Sequence, residues 1–125
     1  MPFELTEKPG YFVVRCYGIV GPADLAEMIR RAIEVESRHP DGVDRISDFR
    51  DVEVFNIQYG SVSEFAKARR EQGFARVIKS AIVADRPVAV GFARMYQTIL
   101  NHPKIELRIF PTMEEAIAWV TEKPA

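Results

Sequence analysis

The apolar residues of this chain change period repeatedly, and proline or glycine marks most of the changes. YFVVRCYGIV, positions 11–20, alternates as a strand does and puts Phe12, Val14, Cys16 and Val20 on one side. Gly21-Pro22 follows, after which Leu25, Met28, Ile29, Ala32 and Ile33 recur at helical spacing, with Asp24 near the positive N-terminal end and Pro40 and Gly42 beyond the stop. FELTE precedes the first of these strands across a turn-favouring Lys8-Pro9-Gly10. Further extended segments are predicted over Val43 to Phe49, Arg76 to Ala84 and IELRIF, separated by helical patterns. The resulting order is β-β-α-β-α-β-α-β-α. Alternating strands and helices need crossover connections, so the expected architecture is α/β: a mixed, mostly parallel five-stranded sheet with four helices, its first pair antiparallel.

The 125 residues, 47% of them apolar, suit one domain over positions 1–125 with one core, and no repeat or linker interrupts them. Seventeen basic residues against eighteen acidic ones leave out the bulk positive charge on which nucleic-acid binding depends. The longest apolar runs fall well short of the ~18–20 residues that span a bilayer, so integral membrane association is not expected. No charged start followed by a long apolar stretch opens the sequence, and a cytoplasmic location is the expectation. Cys16, the lone cysteine, sits among apolar neighbours and reads as a small core residue and not as a nucleophile. His39 and His102 each stand beside a helix-stopping proline without metal-ligand spacing and read as helix-end residues; no metal and no cofactor is expected.

Three helices raise particular questions. The second has two candidate starts: Asn56 capping a helix from Ile57, which is preferred, and Ser61 with Glu64 at capping-box spacing. Val62, Phe65 and Ala66 share its face with Arg69, a pattern that predicts weak anchoring. In the third helix, opened by Pro87, the expected core stripe is Val88, Phe92, Met95 and Ile99. Ala89, Tyr96 and Leu100 widen the apolar arc, either by packing between sheet and helix or as a second contact surface such as a dimer interface. Thr112 with Glu115 makes a capping box for the last helix, with Met113, Ala116, Ile117 and Val120 on one face. Trp119 beside that stripe either closes the rim of the core or contributes to an interface.

Four stretches, YGIVGPADL, SDFRDVEVFN, SAIVADRPVAVGFARMY and IELRIFPTMEEAIAWV, together resemble the SpoIIAA-like branch of the STAS domains, the fold of bacterial anti-sigma-factor antagonists. The resemblance implies a non-enzymatic role in binding or regulation, without a cofactor. In that family the helix after the third strand begins with a serine whose phosphorylation switches partner binding. Here Asn56 stands about where the family has an aspartate, and Ile57 and Gln58 occupy the place expected for the serine. Ser61 and Ser63 are the nearby hydroxyls that phosphorylation would use, although each also reads as an ordinary cap or exposed side chain.

Open α/β sheets bind ligands beyond the carboxyl ends of their strands. Asp48, Arg50 and Asp51 leave one such end, Asp85 and Arg86 another, and Arg94 rides on the following helix. They form either a small anion-accepting pocket or a structural ion-pair network. No nucleophile with a neighbouring base, glycine-rich phosphate loop or metal motif accompanies them, so no enzyme activity is expected. Two functional readings follow. One is a regulatory or protein-interaction module, a homodimer included, that contacts an unnamed protein partner through the loop and helix after the third strand. The other is a carrier or sensor for a small amphipathic or anionic molecule, with Arg50, Arg86 or Arg94 at the pocket mouth.

Overall fold

A computed structural model describes residues 2–122. The elements follow the expected order: β1 (Phe3–Lys8), β2 (Tyr11–Val20), α1 (Pro22–Ser37), β3 (Asp44–Phe55), α2 (Tyr59–Arg70), β4 (Ile78–Val83), α3 (Pro87–Leu100), β5 (Ile105–Phe110) and α4 (Met113–Val120). The strands lie side by side as β1-β2-β3-β4-β5, with β1 antiparallel to β2 and every later pair parallel. Gly10, with φ at 85°, makes the one tight reversal between β1 and β2.

The sequential strand order decides where the helices go. Each crossover from β2 to β5 advances one strand in the same direction, and right-handed crossovers of that kind place α1, α2 and α3 on one face. The larger core forms there, around Phe12, Val14, Cys16 and Val20 of β2, the set the alternation predicted. α4 follows the last strand and closes the opposite face, where Ala116, Trp119 and Val120 pack on Ile46, Ala81 and Val83. Thr112 caps it as expected, its hydroxyl accepting the Glu115 N–H at 3.2 Å. At the start of α1, Asp24 accepts the N–H of Gly21 at 2.7 Å. Among the described residues no helix is long and apolar enough to cross a membrane.

Several boundaries differ from the sequence reading. β3 continues six residues past Phe49, because β2 extends alongside it through two register shifts. α2 starts at Tyr59 after Gln58, and neither Asn56 nor Ser61 caps it. The Asn56 N–H instead donates to the Val20 carbonyl at 2.8 Å, prolonging the β2–β3 ladder, so the chain is still extended where a helix was expected. The predicted face of α2 is the buried one, with Val62, Phe65, Ala66 and Arg69 all inside. The stripe of α3 is rotated by one residue: Ala89, Phe92, Ala93, Tyr96 and Leu100 are buried, whereas Val88 is exposed. The arc of Ala89, Tyr96 and Leu100 is therefore core packing between the sheet and α2, and Tyr96 meets Phe65 edge to face at 5.1 Å. Trp119 is also buried, against Phe110 and under Lys79, whose ammonium donates to the Trp119 carbonyl at 2.8 Å. These four side chains face inward, so the structure does not present them as a contact surface.

Candidate functional site

β4 pairs with β3 only from Arg45 to Asp48, and β1 pairs with β2 only up to Cys16. Beyond those points Tyr17–Val20 and Asp51–Phe55 continue as a two-stranded parallel ribbon that projects past its neighbours. The register shifts matter for what the ribbon displays. In a regular strand Asp48 and Asp51 would point to opposite faces, but the extra residues in β3 set them opposite Arg15 and Tyr17 respectively, which share a face. The same face carries Ile19 and Val54, which are register partners farther along.

Asp48 is buried and accepts three bonds from Arg50: the backbone N–H at 3.1 Å, Nε at 2.9 Å and Nη2 at 2.9 Å. This forked carboxylate raises the Arg50 pKa above its ordinary value. Asp51 turns to a different partner, Arg15, whose Nη2 lies 2.8 Å away and whose Nη1 stands 3.8 Å from Glu4. The Arg15 guanidinium also lies over the Tyr17 ring at 5.1 Å. Arg86 does neither. Its Nη2 donates to the carbonyls of Arg50 and Val52, each at 2.6 Å, on the edge of β3 that β4 leaves unpaired. It replaces strand N–H groups where β4 has already turned into α3. Arg94 is exposed on α3 and joins no ion pair among the described residues. The predicted charged cluster thus separates into Asp48–Arg50, Asp51–Arg15 and an edge-capping Arg86.

Ser61 and Ser63 lie half-buried in the first turns of α2, and Ser61 shares a groove between α1 and α2 with Glu64. Asn56 is exposed, with its backbone engaged by β2 as described. The histidines hold loops. Because the Lys104 N–H donates to His102 Nδ1 at 2.8 Å, Nε2 carries the proton and donates to the Gln72 carbonyl at 2.8 Å. His39 stands 3.9 Å from Glu7. Cys16 is sealed beside Met28, and burial pushes its thiol up to about 12.

Sequence reasoning missed a second set of polar residues, on the face beneath α1–α3. Arg45, Ser47 and Ser80 project there with Arg69 and Tyr96, between Phe49, Phe65 and Phe92. The available signal was Asp44-Arg45-Ile46-Ser47-Asp48 itself: a central strand covered on both faces must bury polar residues whichever way it is turned.

No family model matches the sequence, and no curated protein sequence does. Among solved structures, the fold is similar to that of an uncharacterized protein from the DUF3478 family of Shewanella loihica PV-4, described as having a SpoIIAA-like fold. The TM-score is 0.63 at 12% identity, covering 94% of this chain and 91% of that one. The chain therefore has a SpoIIAA-like fold, which is what the four sequence stretches implied.

Proposed function

We propose that this STAS-like domain is a non-catalytic interaction module, and that its partner surface is the projecting β2–β3 ribbon with the start of α2. The observation that carries this reading is the pair Ile19 and Val54. They are register neighbours on one face, 62% and 47% exposed, beyond the reach of the α4 cover over Ile46, Ala81 and Val83. Tyr59, exposed at the first position of α2, adds an aromatic near the same end of the strands. Apolar anchors with a charged rim, here Arg15, Asp51 and Glu4, are the composition of a protein contact. The alternative in which Arg50 or Arg86 guards a pocket mouth has less support, since both guanidiniums are engaged within the chain.

The test compares wild type with Ile19→Glu/Val54→Glu, using Val77→Glu, exposed before β4 at the other end of the strands, as a control. In affinity purification from the native host, the expected result is a protein retained by wild type and V77E and lost from the ribbon double variant. Light scattering asks whether that protein is a second copy. Equal retention by all three baits would overturn the reading.

A further inference from the structure

The face of the sheet beneath α1–α3 contains more positive charge than the described residues neutralise. Arg45 is 6% exposed and its Nε donates to Ser47 Oγ at 3.0 Å; no carboxylate pairs with it among the described residues. Arg69, 3% exposed, reaches in from α2. Its Nη1 donates to Glu36 Oε1 at 2.6 Å and to Gln72 Oε1 at 2.7 Å, while its Nη2 is buried without a partner. Two buried guanidiniums thus share one buried carboxylate. They also repel each other: burial lowers the Arg45 pKa first, and the neighbouring Arg69 charge lowers it further. Among the described residues nothing else supplies the missing negative charge, because burial keeps both the Cys16 thiol and the Tyr96 phenol protonated. Uncompensated buried charge of this kind is strongly destabilising, so its persistence calls for a compensating group.

Arg45 and Arg69 line the same cavity, of about 20 Å³, and its other polar lining residues are Ser47, Ser80 and Tyr96. Every one of these side chains can donate a hydrogen bond, and among the described residues no carboxylate lines the space. We propose that this cavity is a binding site for a small monoanion, of halide or short-carboxylate size, held between Arg45 and Arg69. The volume sets the class of ligand. It exceeds the ~10–15 Å³ that one water needs, and it leaves no room for a phosphate ester or nucleotide. Leu25 and Phe65 line both this cavity and the surface groove of about 170 Å³ between α1 and α2, so their movement opens the route in. The Oε2 of Glu36 is likewise buried without a partner, but Glu36 borders a different cleft, of about 240 Å³, and does not line the cavity between the arginines. An anion on Arg69 ties α2 to the sheet, and α2 begins at the proposed partner surface. The site stands independently of that proposal.

The experiment is thermal unfolding of the full chain in sodium gluconate, with chloride, bromide or acetate exchanged in at constant ionic strength, for wild type and Arg45→Met. Small anions are expected to raise the wild-type melting temperature with the logarithm of their concentration, the folded-to-unfolded ratio growing roughly 100-fold at 100 times the dissociation constant. R45M, which replaces the unpaired charge by an apolar chain of similar length, is expected to show no such rise. A response to halides marks an inorganic ion as the occupant; a response to acetate alone marks a carboxylate. Crystals grown in bromide give a readout that holds even if R45M fails to fold: an anomalous peak between the two guanidiniums supports a halide. Identical melting of wild type in gluconate and in every small anion, or an R45M response equal to wild type, would overturn the proposal and leave the cavity to water.

Discussion

Arg86 closes a strand edge, and removing its guanidinium should loosen the ribbon that carries the proposed contact surface. In Arg86→Met the carbonyls of Arg50 and Val52 both lose a donor at 2.6 Å. The two losses are unequal. The Arg50 carbonyl lies on the exposed side and rehydrates at little cost, whereas Val52 is fully buried, and a buried acceptor stripped of its donor costs about 1–3 kcal/mol. The expected loss is therefore about 2 kcal/mol. A chain of 125 residues moves by about 4 °C per kcal/mol, which makes the expected fall in melting temperature about 8 °C. Circular dichroism melts measure the fall, and amide exchange localises it, since segment 49–56 should lose protection ahead of β4 and β5. Arg94→Met provides the control: it removes an exposed arginine one helix turn or more farther along α3 and should stay within ~0.5 kcal/mol of wild type. An R86M protein that melts within 2 °C of wild type (roughly 0.5 kcal/mol), with unchanged exchange over the ribbon, would refute the edge-capping argument.

Other substitutions test the interior. Arg69→Met should cost about 3–5 kcal/mol in urea denaturation because it leaves Glu36 buried and unpaired, and adding Glu36→Leu should recover most of that loss. A cost below ~1 kcal/mol for R69M alone would show that Glu36 reaches water freely. Cys16 titrates at 9.0 when unperturbed and at about 12 in the fold, so the protonated thiol stabilises the folded state. That contribution is complete below pH 9 and is lost as pH rises towards 12; Cys16→Ala should flatten the alkaline fall in stability by up to about 1.4 kcal/mol per pH unit. An unchanged slope in C16A would count against a sealed thiol. Gly91→Ala, inside α3 with open space around the added methyl, should stabilise by about 0.5–1 kcal/mol. Gly42→Ala should do the opposite, since its φ is 100° and the new Cβ would meet Arg76 at 3.0 Å; equal effects at the two glycines would contradict the backbone argument.

The candidate surface was partly legible. SDFRDVEVFN lies at the end of the sheet where the contact surface is proposed, and Asp48, Arg50 and Asp51 belong to the strand that reaches it. Which arginine each aspartate would choose was not readable, because it depends on two shifts in the register of β2 against β3 that no local pattern announces. Ile19 and Val54 passed unnoticed for the same reason: alternation tells which residues share a face, but not how far α4 extends over it. Arg45 falls inside the predicted strand Val43 to Phe49 and drew no notice there; only the packing of α2 above it brought Arg69 alongside and left an unbalanced charge in the core.

Periodicity and punctuation determined the element order, the antiparallel first pair, the parallel remainder and the inward set Phe12, Val14, Cys16 and Val20, because these follow from interactions within a few residues of each other and from the need to bury one face. The start of α2 and the rotation of α3 by one residue were decided by tertiary structure. A β2 long enough to hold Asn56 in the ladder delayed one helix, and the wedge between sheet and α2 had room for Tyr96 and Leu100 where the wheel alone favoured Val88. Local propensities differ by tenths of a kcal/mol between such neighbouring solutions, whereas burying one more large side chain is worth about 1.5–3 kcal/mol, and the larger quantity prevails.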